Sequence, residues 1–146
     1  AMFAMVEDLA FRAQQVLDLK AGIAERLARA PEAALQGRLQ ALAGEAEKVR
    51  GVLVSTKEAG GAITGEERLR EKLAKLYNRV LFQPGPPSPS QLDRVAALKA
   101  ELATAFADVD RLGGKGLAEL NAELRKAGLE PLALLDRAAW DARTKK

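Results

Sequence analysis

The chain contains no cysteine and no histidine. Without them there is no disulfide framework, no thiolate zinc site, no Cys–His or Ser–His–Asp machinery and no haem histidine. A di-iron carboxylate bundle is excluded too, because it needs Glu-x-x-His pairs. Aromatic residues are scarce: Phe3, Phe11, Tyr77, Phe82, Phe106 and Trp140 are all there is in 146 residues. That leaves little surface on which bases could stack, so no nucleic acid is expected. No run approaches the roughly 18 apolar residues of a membrane span, so none is expected either. Val, Ile and Thr sum to 14, which leaves little raw material for strands.

What is abundant is helix-forming. Ala (29), Leu (23), Glu (13) and Lys plus Arg (23) make up about 60% of the chain. These side chains lose little freedom against the preceding helical turn. The expectation is an all-α chain: a single domain over residues 1–146, an antiparallel bundle of four main helices. A chain of this length buries roughly 68–70% of its extended surface. Ala1 ahead of Met2 and the lack of a basic-then-apolar start point to a piece of a longer protein.

The apolar spacing places the helices at about 5–30, 32–54, 65–82 and 89–127. In the first, Val6, Leu9, Ala13, Val16, Lys20, Ile23 and Leu27 follow 3-4 spacing, and Ala10, Leu17 and Ala24 widen the stripe. That width suits packing within one chain better than a two-stranded seam. The Lys20 stem is expected to lie along the seam with its ammonium in water. Pro31 ends the helix. The connection at Ala30-Pro31-Glu32 is short enough to make the first two helices antiparallel neighbours. Leu35, Leu39, Leu42, Ala46, Val49 and Leu53 carry the second stripe.

The segment from Ser55 to Ile63 reads as a loop, and Thr64 with Glu67 as a capping box opening the third helix. Leu69, Leu73, Leu76 and Val80 mark its buried stripe. Gln83-Pro84-Gly85-Pro86-Pro87 is a strong break. Ser88, Pro89 and Gln91 then form a second capping box with proline at N1. Leu92, Val95, Leu98, Leu102, Phe106 and Val109 continue in phase into Leu117, Leu120 and Leu124. The spacing therefore favours one long helix, bent or frayed at Gly113, Gly114 and Gly116, over the alternative of two separate helices. Gly128 fits a left-handed C′ position with Leu129 closing a Schellman motif onto Leu124. Residues 132–143 are expected to form a short last helix or tail, with Leu132, Leu135 and Trp140 against the bundle.

The chemistry present is modest. Glu66, Glu67 and Glu71 suit the positive end of a helix dipole. Asp108, Asp110, Gly113 and Glu119 match a calcium loop at positions 1, 3, 6 and 12. Leu112 stands where a ligand is needed, however, and Lys115 brings a positive charge. Gly113-Gly114-Lys115-Gly116 lacks the spacing of a phosphate loop. The net charge of +3 resides in the last ten residues, where Arg137, Arg143, Lys145 and Lys146 face only Asp141. Such a tail is expected to be solvated. No catalytic, cofactor or metal-ligating residue is expected, and the chain does not read as an enzyme.

The stretch from Ser55 through Gly60-Gly61-Ala62-Ile63-Thr64-Gly65-Glu66-Glu67 to Tyr77 carries a resemblance. So do Leu117-Ala118-Glu119-Leu120-Asn121, Ala127-Gly128-Leu129-Glu130-Pro131-Leu132 and Ala138-Ala139-Trp140-Asp141. Together they are similar to the C-terminal helical domain of large bacterial exported proteins. The body of those proteins is a β-propeller of sialidase (BNR/Asp-box) and sortilin type, often labelled glycosyl hydrolase. The resemblance covers nearly the whole chain. It implies a periplasmic or extracellular setting and a domain that packs against its own propeller or mediates association. Hydrolase chemistry in such a parent would reside in the propeller. The alternative is a self-associating coiled-coil module that oligomerises its parent.

Overall fold

The computed structural model describes residues 2–54 and 68–145. Among the described residues there are six helices and no strand. They are α1 (Met2–Arg29), α2 (Ala33–Leu53), α3 (Leu69–Phe82), α4 (Pro89–Leu112), α5 (Lys115–Lys126) and α6 (Arg137–Thr144). The all-α class holds. No helix of the described residues is long and apolar enough to cross a membrane.

The core is aliphatic. Val16, Leu19 and Ile23 of α1 meet Leu35, Leu39 and Leu53 of α2, Leu73 and Leu76 of α3, Leu102 and Val109 of α4, and Leu120 and Leu124 of α5 in one cluster. Ala46 and Ala105 are buried in the same cluster, and their small side chains let helix backbones approach closely. Each fully buried leucine contributes about 1.5–3 kcal/mol relative to leaving it in water.

The buried face of α1 is not the one its spacing suggested. Leu9, Val16 and Ile23 are buried as expected, but Phe11, Gln15 and Leu19 are buried with them. Val6, Ala10, Leu17 and Ala24 are exposed. The face has rotated toward Phe11 because the chain after α5 returns to lie there, as described below. Lys20 is not simply solvated either: its ammonium pairs with Glu47 of α2.

Helix ends follow local chemistry where the chain is described. Ser88 Oγ accepts from the Gln91 N–H (3.3 Å), and the Ser88 N–H donates to Gln91 Oε1 (2.8 Å), so the expected capping box is present. Gly85 takes φ +93° in the turn before it. The box predicted at Thr64 and Glu67 lies outside the described residues, as does the Ser55–Ile63 loop. The third helix does not run through from residue 65. Arg68 is extended (φ −102°, ψ −175°), and α3 starts at Leu69. Here the Arg68 N–H donates to Glu71 Oε2 at 3.2 Å, which shifts the cap downstream.

The long fourth helix is the main correction: 89–127 is two helices, α4 and α5, broken at Gly113–Gly114. The Gly113 N–H still bonds Asp110 O and the Gly114 N–H bonds Arg111 O, which closes α4 with a tightened turn. Gly114 then adopts φ −85°, ψ −149° and opens α5. In phase apolar spacing cannot reveal this, because both helices face the same core. Leu134 explains why glycine stands at the break: a Cβ on Gly113 would stand 2.6 Å from its Cδ1.

At the far end of α5 the expected Schellman motif is present in full. Gly128 sits at φ +76°. The Leu129 N–H reaches Leu124 O at 2.8 Å and the Gly128 N–H reaches Arg125 O at 3.0 Å. Residues 129–136 are not helical, and the last helix begins only at Arg137.

Candidate functional site

The non-helical segment 129–136 lies along one flank of α1, and polar side chains replace the backbone partners that a helix would have given it. The Asn121 amide reads Leu132 from both sides: Nδ2 donates to Leu132 O (2.8 Å) and Oδ1 accepts from the Leu132 N–H (2.7 Å). Gln15, buried to 6% exposure, donates to Leu135 O at 2.8 Å and accepts from Arg12 Nη1 at 3.1 Å. Arg26 donates to Glu130 O (3.2 Å) and Pro131 O (3.3 Å). Amides satisfied in this way, buried at Gln15 and half-buried at Asn121, hold a chain in one register, since a slip would strand them without partners. Leu132 is buried and fits against Gly22, where a Cβ would come within 2.8 Å of its Cδ2.

α6 continues along the same flank. Its N-cap is Asp136, whose carboxylate accepts from the Ala139 N–H at 2.7 Å. Arg137 donates to Asp8 Oδ1 (2.8 Å) and Arg143 to Asp18 Oδ2 (2.8 Å). Trp140 meets Phe11 with ring centroids 5.7 Å apart and planes tilted by 58°. The Arg137 guanidinium lies over both rings, 5.2 Å from Phe11 and 5.0 Å from Trp140. Arg12 continues the ladder, 5.6 Å from Phe11 and 5.3 Å from Phe106, and pairs with Asp110 at 2.6 Å. The hydrogen bond to Asp8 pushes the Arg137 pKa up, burial opposes it, and the hydrogen bond to Asp141 with the charges of Asp141 and Asp8 adds to the rise. Arg137 and Arg143 are therefore matched to acids of α1 and are not the free positive tail that the charge distribution suggested.

The other flank of α1 is left open by the described residues. Val6, Leu9, Ala10, Ala13 and Leu17 face Leu73, Ala74 and Tyr77 of α3 across a cavity of about 360 Å³. Gln14, Arg70 and Asn78 supply its polar groups. The wall is helical on both sides, with small residues (Ala10, Ala13, Ala74) forming the depression. Val6 remains 36% exposed and Leu17 41% exposed. A second apolar area, at the α3–α4 turn, consists of Leu81, Phe82 and Leu92. Leu92 was expected in the core; it lies in the first turn of α4, before the helix meets its neighbours.

The chemical candidates of the sequence do not assemble. Asp108 and Asp110 are in the last turns of α4 and pair with Arg111 (3.0 Å) and Arg12. Glu119 is across the break on α5, 4.0 Å from Lys115. No loop joins these carboxylates around one point, and among the described residues no three His, Cys, Asp or Glu side chains could hold a metal ion. Gly113 and Gly114 make the helix break, not a phosphate cradle. Glu71 caps α3; Glu66 and Glu67 lie outside the described residues. The Glu47 pKa is lowered, chiefly by the Lys20 hydrogen bond, with Lys20 and Arg50 charges adding to it and burial opposing it.

Sequence reasoning missed Gln15, Asn121, Gly22 and Phe11. Their signal was faint: a polar amide beside Val16, and another following Leu120 in a leucine-rich helix. Nothing local shows that the C-terminal segment comes back to them. Comparison of the chain with protein-family models, with curated proteins and with solved structures finds no match to any of the three.

Proposed function

We propose that this chain is a non-catalytic accessory helical domain. It folds as an antiparallel bundle and packs against, or mediates association of, a larger β-propeller protein. The observation that carries the reading is the open α1–α3 groove, with Val6, Ala10 and Leu17 left uncovered beside Tyr77. Exposed apolar stripes on adjacent helices suit contact with another protein surface. The propeller as occupant is supported by the residue resemblance of the segments around Gly60–Tyr77 and Ala127–Leu132. The aliphatic interior and the pairing of the acidic side chains support a packing role over a catalytic one.

The test uses the chain together with the sequence that adjoins it in its parent. Amide exchange is mapped over α1 and α3 with and without that neighbour. Protection of residues 6–17 and 70–78 by an adjoining propeller supports the proposal. A neighbour that is not a propeller, or unchanged exchange in the groove, overturns it.

A second reading, self-association through α1, is favoured by one observation: Ala10, Leu17 and Ala24 are exposed instead of widening the internal seam. Light scattering at two concentrations tests it. A mass that stays at one chain while concentration rises removes this reading.

A further inference from the structure

The ties that hold the C-terminal segment change character at Asp136. Before it, Leu132 is buried, Asn121 grips both backbone groups of Leu132, and buried Gln15 holds Leu135. After it, no residue of α6 is buried. The contacts that α6 makes with α1 are the Arg137–Asp8 and Arg143–Asp18 pairs and the tilted contact of Trp140 with Phe11, bridged by Arg137. An eight-residue helix is shorter than the roughly 12–15 residues that persist alone in water, so α6 is helical because it is docked. Ion pairs in contact with solvent are individually weak and are screened by salt.

We infer that α6 is an electrostatic latch. It undocks from α1 as ionic strength rises, while residues 128–135 stay bound and the rest of the fold remains intact. Undocking uncovers Phe11 together with the carboxylates of Asp8 and Asp18. The latch thus controls access to an aromatic and acidic face of α1, separate from the open groove on its other flank. The hinge is the junction between Leu135, tied to Gln15, and Asp136.

Trp140 is the only tryptophan in the chain, so its emission reports α6 alone. The intact chain is titrated with NaCl from about 10 mM to about 1 M, over which the Debye length falls from about 30 Å to about 3 Å. The expected result is a red shift of Trp140 emission and greater acrylamide quenching. Far-UV ellipticity should lose no more than the helix of α6. The Asp8→Asn/Asp18→Asn double variant should show the released spectrum already at low salt. Arg143→Gln, which alters α6 itself, should release at lower salt than the unaltered chain and serves if the double variant does not fold. Quenching that is indifferent to salt overturns the latch, as does a Trp140 change that occurs only with loss of all helix. So does an Arg143→Gln chain with an unshifted salt midpoint.

Discussion

Along one flank of α1, Asp8, Phe11, Gln15, Asp18, Gly22 and Arg26 meet the returning C-terminal segment. Along the other, Val6, Ala10, Ala13 and Leu17 face α3 across a groove that none of the described residues fills. Both flanks lie beside the same buried stripe of Leu9, Val16 and Ile23. They differ in what their residues can specify. The covered flank offers a buried amide, a glycine notch and two carboxylates, each of which accepts one partner in one place. The open flank offers alanines and aliphatic side chains, which any complementary apolar surface could cover. Polar, directional groups register a chain's own segment, while a featureless apolar stripe is left available for contact with something else.

The sharpest way to break this comparison is Leu132→Ala. Removing a buried leucine from the segment should cost about 2–4 kcal/mol in urea unfolding. A loss near zero would mean that the segment is not part of the cooperative fold. Asn121→Ala should cost about 1–3 kcal/mol, because it leaves the Leu132 N–H and C=O without partners. Limited proteolysis should then cut within residues 129–136.

Gly22→Ala sharpens the notch argument. In an otherwise unaltered chain the new Cβ meets Leu132, whereas in the Leu132→Ala background the substitution should stabilise α1 by about 0.5–1 kcal/mol. The double-mutant cycle measures that coupling.

Between the flanks, the Lys20–Glu47 pair joins α1 to α2. Because the Glu47 pKa is lowered on folding, its contribution is present above the ordinary carboxylate pKa and fades as pH falls through the lowered one. The pair is partly exposed, so the loss on acidification, absent from Glu47→Gln, should be about 0.2–1 kcal/mol. The smallest effect belongs to the open flank. Leu17→Ser should leave stability within about 0.5 kcal/mol of the unaltered chain. A larger loss in the same denaturation assay would show that the groove is closed by the chain itself.

Much of the fold was legible locally. Ser88-Pro89-Ser90-Gln91 announces a helix start because the cap hydrogen bonds are made within four residues. Gly128-Leu129 announces a helix end because only a left-handed residue lets the Leu129 N–H reach Leu124 O. The leucine spacings of α2 and α3 find their buried faces for the same reason: period and burial are both properties of one helix. The candidate sites were less legible. The weakness of the calcium-loop match was readable from Leu112 and Lys115 alone. That Arg137 and Arg143 are spent on Asp8 and Asp18 was not, because more than a hundred residues separate the partners.

The sequence by itself determined an all-α chain without cysteine or histidine, and it placed the bounds of α2, the start of α4 and the end of α5 to within a residue. These properties depend on composition, period and contacts a few residues long. Only the tertiary structure decided that α4 and α5 are separate, that the face of α1 turns toward Phe11, and that Leu17 stays in solvent. The turn toward Phe11 follows from one distant event, the return of residues 129–145 along α1. Leu134 needs the space at Gly113, Leu132 needs the space at Gly22, and Gln15 and Asn121 need backbone partners that only this segment supplies. Such choices are settled by shape and by the cost of unsatisfied polar groups across the fold, which no local pattern records.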